Sequence, residues 1–120
     1  MRLQGTVTVE EAKLINAAHL EYVQDVSHFF YMIDLADLSD LPAAARREAS
    51  SVLKILPVRG TVIYNAPLRA KVLAKLLLTA ASLFRKGEEG NPILFADTEE
   101  EARVLVEKRR QHVGKAAAAA

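Results

Sequence analysis

The sequence predicts an α/β fold with a four-stranded, mostly parallel open sheet and the element order β-α-β-α-β-α-β-α. Short segments rich in apolar and β-branched residues alternate with longer segments in which apolar residues recur at helical spacing. Polar stretches that contain proline or glycine separate several of these segments. Strands that alternate with helices in this way are typical of a parallel sheet with right-handed crossovers.

The length and composition indicate one globular domain. The chain has 120 residues, of which 51% are hydrophobic and 26% charged, and it contains no cysteine. Disulfides, zinc sites built on cysteine and thiol catalysis are therefore excluded. The net charge of +1 argues against a dedicated nucleic-acid-binding protein, which usually carries a strong basic excess. We assign residues 1–113 to one domain and residues 114–120 to a low-complexity alanine tail.

No segment has the pattern of a secretion signal or a membrane span. The start of the chain lacks a basic flank followed by an apolar stretch. The most apolar segment, 72–84, is interrupted by Lys75 and is shorter than the roughly 20 residues that cross a bilayer. We therefore expect a cytoplasmic protein without membrane contacts.

The first strand and helix are separated by a capping sequence. Polar and apolar residues alternate over 2–8, which predicts a half-buried strand. Thr8 and Glu11 match the capping box, so a helix is predicted from here to about Ser27, with Asn16 facing water. The residues expected to face the sheet are Ala12, Ile15, Ala18, His19, Tyr22, Val23 and Val26.

The second strand is predicted over 29–35, where a nearly continuous apolar run indicates burial on both faces. An acidic turn is expected at 37–40, with Asp40 as the cap of a helix over 42–56. In open α/β sheets, ligands bind beyond the carboxyl ends of the strands. The end of this strand is therefore the first candidate for a functional site.

The remaining strands are predicted over 60–64 and 93–96. A third helix is expected over 65–84 and should be the most buried of the four. A second capping box at Thr98 begins a last helix that runs to about 112, with Gly114 available to close it. The apolar face of the third helix is predicted to contain Leu68, Val72, Leu73, Leu76, Leu77, Ala80 and Leu83.

Three carboxylates at the end of the second strand allow a metal-binding hypothesis. Asp34, Asp37 and Asp40 lie three residues apart, and carboxylate oxygens are ligands for Mg²⁺. The simpler interpretation gives each one a local role at the strand end, in the turn and at the helix cap. We favour it because no other strand end supplies an obvious further ligand. The histidines share no metal-ligand spacing, so we predict no metal, no cofactor and no enzymatic activity.

The junction between the third strand and the third helix is a candidate anion site. Free backbone amides at this helix start, together with Asn65 and Arg69, could hold a phosphate or a carboxylate. In the alternative interpretation, Asn65 caps the helix and Arg69 is solvated. The first interpretation makes the protein a carrier of a nucleotide or a lipid phosphate.

The arrangement resembles the STAS domain of bacterial anti-sigma-factor antagonists, and especially small single-domain STAS/SEC14-like proteins. The likeness covers about residues 3–110 and includes Arg69 in the third helix. This resemblance implies one further strand before the first strand found here. The segments that carry it are 3–8, 31–35 with Asp37 and Leu38, 62–66, and 95–102.

The STAS resemblance implies a non-enzymatic regulatory module that acts in signalling by contact with another protein. An anti-sigma factor or a kinase-like regulator is the partner it implies, and a homodimer is considered beside these. The serine or threonine that a kinase modifies in such domains falls at 41–44, where this chain has no hydroxyl; Ser39 lies two residues earlier. The residues predicted to form the docking surface are Asp37, Ser39, Asp40, Leu41, Pro42 and Arg46.

Overall fold

The computed structural model describes residues 1–53, 55–82 and 91–119. It confirms the α/β fold and the alternating order of strands and helices. The elements are β1 (Arg2–Thr6), α1 (Val9–Tyr22), β2 (Phe29–Asp40), α2 (Ala43–Leu53), β3 (Val58–Tyr64), α3 (Leu68–Ser82), β4 (Ile93–Ala96) and α4 (Glu99–Ala119).

The sheet is parallel throughout, and its strands lie in chain order, β1-β2-β3-β4. Each crossover therefore proceeds in the same direction, and right-handed crossovers place α1, α2 and α3 on one face of the sheet. We call this the first face. The last helix, α4, covers the second face. The described sheet has no point at which the strand order reverses, so it lacks the crevice in which doubly wound folds bind their ligands.

The core on the first face combines large strand residues with small helix residues. Leu35 and Ile63 of the strands are 2% and 1% exposed, and alanines of the three helices pack against this side of the sheet. Alanine allows a helix axis to approach the sheet closely. The buried alanines on these helices are Ala12, Ala45, Ala70 and Ala74.

A smaller core joins α4 to the second face, where Val62 and Tyr64 pack against Ala102. The Arg109 side chain fixes α4 further along, because its Nε donates a hydrogen bond of 2.6 Å to the carbonyl oxygen of Arg59. Gly60 lies beneath this side chain. A β-carbon there would lie 2.9 Å from Cγ of Arg109, so the close approach of α4 requires glycine.

Strand β2 is longer than predicted, because it continues to Asp40 instead of ending at Leu35. No acidic turn exists at 37–40. The reason is pairing with β1, which places Gln4 beside Asp37 and brings the amide of Val7 within 3.1 Å of the Asp40 carbonyl oxygen. Backbone pairing outweighs the low strand preference of aspartate.

The start of α2 also differs from the prediction, because Asp40 does not cap the helix. The helix begins at Ala43, and the carboxylate of Asp40 accepts the amide of Leu41 instead. Pro42 lies just before the helix, and its carbonyl oxygen accepts the Arg46 amide at 2.9 Å.

The predicted capping box of α1 is confirmed, but the predicted length of the helix and its predicted buried face are not. The Thr8 hydroxyl accepts the Glu11 amide at 3.2 Å, and the Glu11 carboxylate accepts the Thr8 amide at 3.3 Å. The helix ends at Tyr22, which is exposed, as are Val26 and Ala18. Asn16, predicted to face water, is buried.

The burial of Asn16 has a physical reason in the packing of α1 against α2. Its amide nitrogen donates a hydrogen bond of 2.9 Å to the carbonyl oxygen of Glu48 in α2. A buried amide is acceptable when it is paired in this way. The contact between two helices thus accounts for a polar residue that the helical pattern placed outside.

Helix α3 departs from its predicted orientation. Leu68, Val72 and Leu76 are 78%, 50% and 56% exposed, whereas Ala70 and Ala74 face the core. Leu73 packs against this core, as predicted. Among the side chains that the structure describes, α3 is thus more exposed than expected; the predicted inward residues Leu77, Ala80 and Leu83 lie outside them. The alanine side fits the close spacing to the sheet, and the larger residues are left outside. The predicted end at Phe84 lies outside the described residues.

Helix α4 keeps part of its predicted cap and runs further than predicted. The Thr98 hydroxyl accepts the Glu101 amide at 3.2 Å, but the Glu101 carboxylate accepts the amide of Asp97 in place of that of Thr98. The helix passes Gly114 and continues to Ala119. Gly114 therefore does not close it, and the predicted alanine tail is helical in its described part.

Replacing Gly60 with alanine should lower the free energy of unfolding by about 1–3 kcal/mol, because the new β-carbon overlaps the Arg109 side chain. Urea denaturation measures the change. Gly114→Ala is the matched control, since a β-carbon there meets nothing within 4 Å. Alanine is the better helix former, so the control should be neutral or more stable by up to about 1 kcal/mol. Equal stability of Gly60→Ala and the unaltered protein would contradict the packing described.

Candidate functional site

The predicted docking residues at the end of β2 divide into exposed and internal groups. Asp37 and Ser39 are exposed. The Asp37 carboxylate forms an ion pair with Arg2 of the neighbouring strand. Exposed pairs of this kind contribute little to stability. These two side chains remain accessible to a partner.

Leu41 belongs to the first-face core, where it is 5% exposed. Its side chain therefore cannot form part of a docking surface, which corrects its place in the prediction. Arg46 is half-buried, and its guanidinium donates a hydrogen bond of 2.7 Å to the carbonyl oxygen of Leu41. Asp40 is half-buried and bonded to the same segment. Arg46 and Asp40 thus hold the connection from β2 to α2, with Pro42 half-buried between them.

The predicted anion site at Asn65 and Arg69 is exposed, and Asn65 is not a helix cap. Asn65 follows β3 directly with φ of 57°, a left-handed conformation that asparagine tolerates better than most residues. It turns the chain toward α3, which begins three residues later at Leu68. Arg69 lies in the first turn and is exposed. Anion binding here stays a prediction.

The three carboxylates of β2 are used separately. The Asp34 carboxylate accepts the Ala36 amide at 2.9 Å, Asp37 pairs with Arg2, and Asp40 accepts the Leu41 amide. Within residues 1–53, 55–82 and 91–119, no group of three or more histidine, aspartate and glutamate side chains could hold a metal ion.

A charged cluster around Tyr64 was not predicted from the sequence. Tyr64 ends β3 beside Asp34 of β2. Burial raises the pKa of the Tyr64 phenol, and the nearby carboxylates of Glu99 and Asp34 raise it further, whereas Arg103 and Arg2 act in the opposite direction. The hydroxyl therefore stays protonated near neutral pH and can donate a hydrogen bond. The only signal in the sequence was the place of Tyr64 at a strand end.

The exposed apolar surface of α3 is the second feature that the sequence did not predict. Leu68, Val72 and Leu76 lie at i, i+4 and i+8 on one side of the helix, and we call them the apolar stripe. Cations border it. The ammonium groups of Lys71 and Lys75 lie 5.8 and 5.3 Å from the centre of the Phe95 ring. Within Leu68–Ser82 the charged residues are Arg69, Lys71 and Lys75, so this helix is basic.

A polar pair lies on the first face, between α1 and β2. The Tyr31 hydroxyl and Nδ1 of His19 are 2.7 Å apart, which is hydrogen-bond distance. Burial lowers the pKa of His19, and the amino-terminal ammonium group lowers it further. Burial also raises the pKa of Tyr31. Both side chains are therefore uncharged at neutral pH.

The comparisons with family models and with curated proteins assign this chain to no family. No family model matches it, and no match was found among curated proteins. The STAS resemblance therefore stays a prediction from sequence patterns. A search of the described helices for a membrane span found none that is long and apolar enough.

Replacing Arg46 with alanine should lower the free energy of unfolding by about 1–2 kcal/mol, because the Leu41 carbonyl oxygen loses a charged hydrogen-bond donor. Chemical denaturation measures the loss. Arg47→Ala is the control, since Arg47 is exposed and adjacent on α2. It should stay within about 0.5 kcal/mol of the unaltered protein. Equal effects of the two variants would show that Arg46 has no structural role.

The Tyr31–His19 pair should make stability depend on pH. The pKa of His19 is lower in the folded chain than its ordinary value of 6.5, so the unfolded chain binds the proton first as the pH falls. The stability that the neutral His19 side chain contributes is complete above about pH 6.5. It decreases as the pH falls further, and the decrease ends below the pKa that His19 has in the folded chain. Denaturation at a series of pH values should show a smaller acid loss for His19→Gln than for the unaltered protein. Parallel losses would contradict this role for His19.

Proposed function

We propose that the protein is a non-enzymatic interaction module, similar in kind to an anti-sigma-factor antagonist, and that it binds another protein through α3. The observation that carries this proposal is the apolar stripe. Three large aliphatic side chains on one helix are half or more exposed. Contiguous exposed apolar surface that is bordered by polar residues is characteristic of protein-binding sites.

The exposure of the stripe is not required by the packing of α3. The contacts of this helix with the first-face core come from the opposite side, through Ala70, Leu73 and Ala74. Polar residues at Leu68, Val72 and Leu76 would therefore leave the core intact and would make the helix more soluble. The apolar residues at these positions therefore contribute little to the stability of the domain and favour binding to another molecule.

The charges of α3 define the partner that fits. Arg69, Lys71 and Lys75 are positive, and the described helix has no acidic residue. A partner surface with aliphatic side chains bordered by aspartate or glutamate is complementary to it, and an acidic amphipathic helix provides both. Because charge complementarity chiefly raises the association rate, binding should weaken as salt is added.

The residues predicted from the STAS resemblance adjoin or supplement this surface. Asn65 and Arg69 flank Leu68 at the start of α3 and extend the contact area. Asp37 and Ser39 are exposed at the end of β2 and are available to the same or a second partner. Phosphorylation is no part of the proposal, because residues 41–44 contain no hydroxyl. Binding of a nucleotide or lipid phosphate stays the alternative, which no further observation favours.

Replacing Val72 with aspartate should abolish partner binding without unfolding the protein. The change places a negative charge in the apolar stripe, where Val72 is 50% exposed. Tagged protein is used to capture partners from an extract of its source cells at low and high salt, and the captured proteins are quantified by mass spectrometry. A partner held by the unaltered protein at low salt should be reduced at least about tenfold, which corresponds to about 1.4 kcal/mol of binding free energy.

Val104→Asp is the matched control, because Val104 is 53% exposed on α4, which covers the second face of the sheet. It should retain the partner, and circular dichroism should show both variants folded. If Val72→Asp captures the same proteins in the same amounts as Val104→Asp, α3 is not the docking surface. If light scattering shows that the unaltered protein is a dimer and only Val72→Asp is a monomer, the partner is a second copy.

A further inference from the structure

We infer that the first-face core contains a binding site for a small, uncharged, apolar ligand. A cavity of about 80 Å³ lies between the sheet and the helices on this face. Strand residues such as Ile33 and Ile63 form its floor, and Ile15, Ala49 and Leu53 of α1 and α2 form much of its roof. The site is separate from the apolar stripe, and the inference is independent of the proposed docking function.

The cavity follows from the small residues of the helices. Alanines occupy positions in α1, α2 and α3 that face the sheet, including Ala12, Ala49 and Ala74 on the cavity wall. Larger side chains at these positions could fill the space. An unfilled cavity weakens a protein, because its wall atoms lack contact partners on one side. A ligand of the right size would restore these contacts.

The chemistry of the wall selects an uncharged ligand. Its polar side chains are Asn16, His19 and Tyr31. The Asn16 amide is bonded to the Glu48 carbonyl oxygen at 2.9 Å, and the Tyr31 hydroxyl is bonded to His19 at 2.7 Å. Since the Asn16 amide nitrogen, the Tyr31 hydroxyl and Nδ1 of His19 already have partners, they offer little to a water molecule, which needs two to four polar contacts. An ion would be desolvated without compensation.

The geometry also suggests a route of entry. Met1 is 44% exposed and His19 is half-buried, so the wall reaches the surface at this end. Met1 and Tyr31 also border a wider groove of about 570 Å³ on the outside of the protein. A small molecule could therefore pass from the groove into the cavity by a movement of side chains, without separation of the helices from the sheet.

The size of the cavity limits the ligand. An apolar cavity of about 150 Å³ in another protein holds benzene. A cavity of about 80 Å³ should accept a smaller molecule, on the order of xenon or a hydrocarbon of four or five carbon atoms.

Xenon tests whether the cavity is accessible. Methyl NMR spectra are recorded as the xenon pressure is raised. The methyl signals of Ile33 and Ile63 should shift and saturate, whereas those of the exposed Val104 should not. Ala49→Leu, which fills the cavity, should abolish the shifts, and Ala18→Leu, at an exposed position of α1, should retain them. If Ala49→Leu does not fold, Ala74→Val replaces it.

A set of three compounds tests whether the cavity distinguishes uncharged from charged ligands. Melting temperatures are measured with cyclopentane, methyl acetate and propanoate, which have the same number of heavy atoms. Cyclopentane, and to a smaller extent the ester, should raise the melting temperature by at least about 2 °C, and the propanoate anion should not. Absent or non-saturating xenon shifts would overturn the inference. Xenon binding without stabilisation by either uncharged compound would show a packing defect only, and would also overturn it.

Discussion

The handedness of the crossovers constrains the whole arrangement. Because the strands lie in chain order and right-handed crossovers join them, α1, α2 and α3 share the first face, whereas α4 is the described helix that covers the second. Helices packed in one layer against a sheet need small residues at the contacts, which Ala12, Ala45 and Ala70 provide. The small residues at these contacts leave a cavity in the core, and the apolar stripe of α3 is turned outward. The two candidate sites thus arise from one topological constraint.

Local signals predicted the element order and the capping of α1, because a capping box and an apolar run depend on neighbouring residues. The end of β2 could not be predicted in this way. Its aspartates disfavour a strand, and pairing with β1, which places Gln4 beside Asp37, keeps the chain extended. Helix α3 carries both a leucine side and an alanine side at helical spacing. Hydrophobicity favoured burial of Leu68, but the distance between helix and sheet favoured Ala70.

The sequence predicted only part of the candidate sites, again because local signals carry no information about contacts between distant residues. The exposed positions of Asn65 and Arg69 follow from their places after a strand and in a helix start, which the sequence located. Asp37 is exposed as expected, but it lies inside β2 and not in the predicted turn. The roles of other residues depend on partners far along the chain. Tyr64 lies in the electrostatic field of Asp34 and of residues in α4, and His19 bonds Tyr31 across the helix–sheet contact. Periodicity carries no information about such contacts.

Protein binding through α3 can be detected by site-specific photo-crosslinking in the source cells. A photoreactive phenylalanine derivative replaces Val72 in one sample and Val104 in another, since the two valines are equally exposed on different helices. If α3 is the docking surface, position 72 forms a covalent adduct with one protein that has an acidic, amphipathic surface, and position 104 does not. Adducts of equal yield with the same proteins at both positions, or adducts at position 104 alone, would contradict protein binding through α3.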